Sequence, residues 1–413
     1  MTDRKSHATT GRTARTRGAL AIAPRPRGAL AIAPRHRGGW ALTLAATLLA
    51  GCAVIPQNAP PPVHTPPPAP EPTAALPHDE ARHRVALLVP ITGPDAAVGT
   101  ALANATTMAL LDMNAQNLRI TTYDTAGGAT AAAQRAIADG NRLILGPLLG
   151  DDARPIADIA RASSVPVISF SNDTAVAGGN IYVMGVIPAE AIVREVDYAR
   201  KQGATRFAAL IPVGTFGTRA SAAMLAAVRD VGGQMVGMEN YPHTPAGMAA
   251  AVRRLRAHGN ADAVLIADSA RGAAQIAPLL ARPGAAPPRI LGTELWSGES
   301  VIPHTPALAG AEFAALSDTR FHRFSESYKA RFGTAPYRIA TLGYDAVLLT
   351  LRVARDWRPG SPFPAEELGA SDGFLGLDGP FRFGGDGVVE RAFEVREVAG
   401  GTINVVSPAP AHF

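Results

Sequence analysis

From Arg84 onward, short apolar runs alternate with longer amphipathic stretches, and the alternation starts afresh near Pro188. Little else in a sequence narrows the fold as far. Strands without polar alternation are buried on both faces, and the helices between them supply the cover. Arg84–Val89 (RVALLV), Leu118–Tyr123, Leu143–Leu145 and Val165–Phe170 read as strands. Helices are predicted between them over Asp95–Asn114, Ala129–Asp139 and Asp151–Ala162. After Pro188 the helices are Ala189–Gln202, Thr218–Val231, Pro245–His258 and Ala270–Leu280. The strands of that half are Arg206–Ile211, Gln234–Asn240, Ala263–Ala267 and Arg289–Leu291. Two helices follow, Arg320–Phe332 and Arg338–Arg355. The pattern then predicts a hairpin of Phe381–Phe383 with Ala392–Val398, turned by Gly384-Gly385-Asp386-Gly387. The implied class is α/β with parallel sheets covered on both sides.

The first 51 residues differ in kind. They hold nine basic residues against Asp3 alone, so with +5 for the whole chain the remainder carries −3. The basic character belongs to the leader, and a nucleic-acid partner is not expected. Trp40–Ala50 is an uncharged apolar stretch of 11 residues behind Arg35 and Arg37. A bilayer span needs about 20, so the stretch reads as the core of a signal peptide. The repeat RGALAIAPR, at Arg17–Arg25 and Arg27–Arg35, is proline-punctuated leader. Leu49-Ala50-Gly51-Cys52 closes the segment and resembles the bacterial lipobox, which implies cleavage before Cys52 and lipid attachment to it. Cys52 is the chain's one cysteine, so no intramolecular disulfide is possible. Ala53, rather than an aspartate, favours the outer membrane, facing the periplasm. Pro56–Pro77 is proline-rich and reads as an extended tether. The expected organisation is a leader (1–51), a lipidated tether (52–83), a globular domain (84–400) and a tail (401–413).

The order of elements from Arg84 to Val398, with the first strand running into Pro90-Ile91-Thr92-Gly93, resembles the type I periplasmic binding fold. The resemblance implies two doubly wound parallel-sheet lobes joined by three crossings. These are expected near Ile187–Ala189, Gly292–Trp296 and Phe374–Phe381. They would divide the chain into a first lobe of 84–188 and 297–375 and a second of 189–296 and 376–400. The cleft between such lobes, beyond the carboxyl ends of the strands, is the default binding site.

No GxSxG elbow, P-loop, HExxH or GxGxxG is present, and no catalytic residue, metal or cofactor is expected. His78 and His83 read as part of a solvated charge cluster, and Asp378–Gly387 lacks the alternating carboxylates of a calcium loop. The strand-end loops nominate Thr92, Leu148, Ser171, Asn172, Phe216, Ser269 and Glu294 as cleft residues. Ser171 and Asn172 could serve a ligand or merely form turns. Glu294 could take an ammonium, but these loops offer no basic side chain for a carboxylate. Leu148-Leu149 and Phe216 stand where an amino-acid binder of this fold offers hydroxyls. Tight binding of a free amino acid is therefore not expected.

Gly146-Pro147-Leu148-Leu149, together with Phe170-Ser-Asn-Asp and Gly178-Gly-Asn-Ile-Tyr182, resembles the penicillin-binding-protein activators, the LpoA-like lipoproteins. That resemblance implies a non-enzymatic lipoprotein contacting a peptidoglycan synthase. The other reading these residues permit is a lipid-anchored solute receptor of an ABC importer for amino acids or related small molecules.

Overall fold

A computed structural model describes residues 82–413 apart from 282, 283 and 285; the leader, Cys52, His78 and the tether lie outside the described residues. The first half builds a sheet from β1 (His83–Val89), β2 (Leu118–Asp124), β3 (Leu143–Leu145), β4 (Val167–Ser169) and β5 (Ile181–Val183). All its pairings are parallel, in the order β2-β1-β3-β4-β5. Helices α1 (Ala96–Asp112), α2 (Ala129–Ala138) and α3 (Gly150–Ala162) make the crossovers.

The second half contributes α4 (Pro188–Lys201), β6 (Arg206–Pro212), α5 (Thr215–Asp230), β7 (Gln234–Tyr241), α6 (Pro245–Ala257), β8 (Ala263–Ile266), α7 (Ala270–Leu280), β9 (Arg289–Gly292) and β10 (Glu312–Ala315). Helix α4 illustrates the local logic. Pro188 opens it with a preset φ and no N–H to strand, Glu190 faces the positive end of the dipole, and Arg200 and Lys201 face the negative end. Ala191, Ile192, Val196 and Ala199 form its buried stripe. The remaining elements are α8 (Thr319–Phe332), α9 (Thr341–Val353), β11 (Phe374–Gly376), β12 (Gly379–Phe383), β13 (Val389–Arg391), β14 (Glu394–Ala399) and β15 (Thr402–Ser407). No described helix is long and apolar enough to cross a membrane.

The seven-stranded second sheet runs β15-β14-β10-β9-β8-β6-β7, parallel from β7 to β10 and antiparallel through β14 and β15. Two apolar clusters cover its faces, one including Met248, Ile276 and Phe313, the other Val196, Met224 and Leu291. The first lobe's core joins β1, β3 and β4 to residues from far down the chain: Leu342, Val347 and Leu349 of α9, with Phe381, Phe383 and Val389.

These memberships place the crossings between Ile187 and Pro188, between Ala315 and Thr319, and between Arg391 and Glu394. The second and third come later than the resemblance implies, and 297–315 goes with the second lobe, not the first. The reason is β10: four buried residues that re-enter the second sheet beside β9 after a long excursion. The expected hairpin also has a different partner. Gly384–Gly387 does turn the chain, but Phe383 pairs with Val389 of β13. Ala392–Val398 straddles the third crossing, and from Glu394 onward it pairs with β10. His83 is not solvated. It is buried, stacked on Trp357 with ring centroids 4.1 Å apart, and burial lowers its pKa.

Candidate functional site

Each lobe presents its strand-end loops to one cleft, and close approaches fix those loops. After β3 the chain turns at Gly146 with φ +92°, where a Cβ would stand 2.1 Å from the Leu88 carbonyl oxygen; only glycine fits. The Pro147 carbonyl then accepts from the Phe170 amide and the Ser169 hydroxyl, both at 3.0 Å. Two loops are thereby tied together, and Leu148, Phe170, Ser171 and Asn172 share the first lobe's wall. In the second lobe, a Cβ at Gly292 would meet the Trp296 ring at 2.4 Å. Trp296 is fully buried and donates from Nε1 to the Asp268 carbonyl at 3.0 Å. That anchor holds the turn over Glu294–Trp296 and directs Glu294 into the cleft that Phe216 also lines.

The cleft encloses about 590 Å³, within the range of sites that take a whole small molecule. Leu316, Phe321, Ile339 and Leu342 complete an apolar lining. Burial pushes the Glu294 carboxyl up to about 7, its own backbone N–H only partly offsetting this, and its Oε2 has no hydrogen-bond partner.

A chain of ion pairs lies at the cleft floor. Arg338 donates to Asp378 Oδ1 from Nε (3.1 Å) and Nη2 (2.8 Å), to Asp318 from Nη1 and to the Ser317 carbonyl (3.1 Å). Arg396, from β14 of the second lobe, reaches the other Asp318 oxygen at 2.7 Å and donates to Glu394 at 2.7 Å. Burial opposes the charge on Asp318, but its bonds to Arg338 and Arg396 hold its pKa below the ordinary carboxylate value. Asp318, in the second crossing, thus ties a guanidinium of each lobe. Thr341 donates to Asp378 Oδ2 at 2.6 Å and closes the chain.

Of the nominated residues, Leu148, Ser171, Asn172, Phe216 and Glu294 line this cavity. Thr92 does not; its hydroxyl donates to Asp124 Oδ2 at 2.5 Å. Ser269 does not either: its Oγ caps α7 by accepting from the Gly272 amide at 3.2 Å. Sequence reasoning missed Asp318, Phe321, Arg338 and Asp378. They come from the second crossing and from segments that fold back onto the first lobe, and no strand-end signal marks them.

A sequence profile of the periplasmic binding protein family matches residues 83–402. Among solved structures, one from Rhodospirillum rubrum assigned to a branched-chain amino acid ABC transporter aligns with TM-score 0.70 at 21% identity, covering 79% of this chain and 100% of that one. A Desulfitobacterium hafniense ABC transporter substrate-binding protein in complex with Leu aligns with TM-score 0.59 at 19% identity, covering 79% and 100%. At these identities the likeness is one of fold. An uncharacterised Rickettsia prowazekii protein is 29% identical over 182 residues, 44% of this chain and 48% of that protein, so the match spans about half the relative's length.

These matches overturn the synthase-activator expectation and, with it, a penicillin-binding protein as partner. The family is one of periplasmic binding proteins, and the solved relatives belong to ABC transporters. Some of the residues that carried the activator resemblance serve the cleft's own architecture. Gly146 and Pro147 build the turn described above, and the Ser171 hydroxyl accepts from the Asp173 amide at 3.0 Å.

Proposed function

The chain belongs to the periplasmic binding protein family, and on that premise we propose that it is a solute-binding receptor of an ABC importer for a small molecule. The observation that carries the reading is the cleft: about 590 Å³, lined from both lobes and predominantly apolar. Leu148, Ser171, Asn172, Phe216 and Glu294 are the proposed ligand contacts. The solved relatives are binding proteins, not enzymes, which agrees with a site that holds rather than transforms. Native mass spectrometry of the purified full chain should show a co-purifying small molecule released on denaturation. Deleting the gene should abolish uptake of that molecule. A chain that carries nothing, in cells whose uptake profile survives the deletion unchanged, would defeat the proposal.

The family location is periplasmic. The finer proposal is that residues 1–51 are removed and that Cys52 carries a lipid in the outer membrane, with 52–83 as tether and 84–400 as receptor. Cys52→Ser should leave an unprocessed precursor that takes up no labelled palmitate. Sedimentation of the native lipoprotein with inner-membrane vesicles would correct the choice of membrane.

A further inference from the structure

The polar groups of the cleft, counted one by one, point to a narrower class of ligand than the solute-binding reading on which this inference rests. Arg338 is the guanidinium lining the cavity, and four of its five N–H donors are committed: Nε and Nη2 to Asp378, Nη1 to Asp318, Nη2 again to the Ser317 carbonyl. Arg396 behind it likewise commits four of five donors, to Glu394, Asp318, Ser297 Oγ and the Leu316 carbonyl. Two cations in this network face three carboxylates, Asp318, Asp378 and Glu394, so the floor carries a net negative charge before Glu294 is counted. A ligand carboxylate brought here would meet Asp318 and Asp378, with one spare Arg338 N–H, the exposed His322 ring and the neutral donors Ser171 and Asn172 as the groups left to answer it.

Glu294 is the reverse case. Its Oε2 is buried with no hydrogen-bond partner, and it faces the cavity from the second lobe. An unpaired buried acceptor loses the water it would have had, and a donor from the ligand restores what was lost. The other walls are apolar or aromatic, with Phe216 and Phe321 half-exposed to the space beside Phe170 and Leu148. Ring faces and a carboxylate in a partly dry cleft form a receptor for a cation.

We infer that the cleft takes an amine carried on an aromatic or branched aliphatic body and lacking a carboxylate, with Glu294 as its counter-ion. The amine is held from the second lobe and the body packs on the first, so the ligand bridges the two.

The test uses matched probes on the purified full chain by calorimetry: isoamylamine, leucine and isovalerate, then phenethylamine, phenylalanine and benzoate. The amines should bind at least tenfold more tightly than the amino acids with the same body, and the carboxylates should not bind. Glu294→Gln should weaken amine binding tenfold or more while the thermal transition stays cooperative, which excludes unfolding as the cause. Leucine or benzoate binding more tightly than the amines would overturn the ligand class while leaving the solute receptor intact. Silence from all six probes would overturn the class as well, and the co-purification experiment then decides the receptor reading separately.

Discussion

Glu294 shows how a proposed ligand contact can also be a liability. Its carboxyl stands near 7 in the folded protein against an ordinary 4.5, because burial disfavours the charge. Below the ordinary value both states hold the proton and the group is neutral in its effect. As pH rises toward 7 the unfolded chain releases that proton first, so stability is lost across that window and levels off above it. Glu294→Gln cannot ionise. Its transition temperature should exceed the parent's at pH 8, where a pKa shift of this size costs the parent up to about 3 kcal/mol, and by far less at pH 4. Equal differences at pH 4 and pH 8, measured by calorimetric scans, would mean the carboxyl is solvated. Glu294, Phe216 and Leu148 were legible in the sequence because ligands gather at strand ends, and strand ends can be read from apolar runs. Arg338 and Asp378 were not. They enter through the short turn ahead of helix α9 and the loop before β12, whose route back to the first lobe is a long-range matter of packing.

The elements carry a repeated device. Each lobe's first strand leads to a proline, and the helix that follows packs a glycine against that proline's carbonyl. A Cβ would stand 1.9 Å from Pro90 O at Gly99 and 1.7 Å from Pro212 O at Gly217. Replacing a helical glycine by alanine normally stabilises, by about 1 kcal/mol. Here the sign should invert: the methyl meets backbone rather than a movable side chain, and overpacking of this kind costs about 1–3 kcal/mol. Gly99→Ala and Gly217→Ala should each lower the denaturation midpoint in urea without changing its slope. A rise in midpoint at both positions would refute the close packing. The same scale explains what the sequence conveyed and what it hid. The alternating β/α order was plain, since each strand and helix carries its own periodicity. Strand β10 was hidden because Glu312-Phe-Ala-Ala is too short to declare a period. The pairing of β12 with β13 was hidden because Val389–Arg391 gives only three residues before the chain leaves for the other lobe.

At the scale of the whole molecule, the question is what holds the lobes at their present separation. Asp318 ties them at the floor through Arg396 and Arg338. A second tie spans the cleft: Arg219 of α5 reaches Asp173, in the loop beyond β4, at 2.9 Å, and Arg154 of α3 lies 3.5 Å from the same carboxylate. The two ties differ in exposure, and so in strength. Arg396 is almost wholly buried, whereas the Arg219 side chain is 44% exposed. An ion pair that exposed contributes about 0.2–1 kcal/mol and is screened by salt. It can bias an opening equilibrium but cannot lock it, which would suit the proposed receptor, since such a protein must release what it binds. Arg219→Ala should therefore raise the open-to-closed ratio about 1.4- to fivefold, the factor that interval of free energy implies. Spin labels on Leu111→Cys of α1 and Leu225→Cys of α5, both well exposed, would report that ratio as a distance distribution. With Cys52 the chain's one natural cysteine, its conversion to a lipid thioether would leave the two introduced thiols alone for labelling. The parent at high salt should approach the variant at low salt, since screening and deletion remove the same attraction. A distribution insensitive to both would mean that the lobes are held by the buried floor pairs alone, and that Asp173 serves only its own loop.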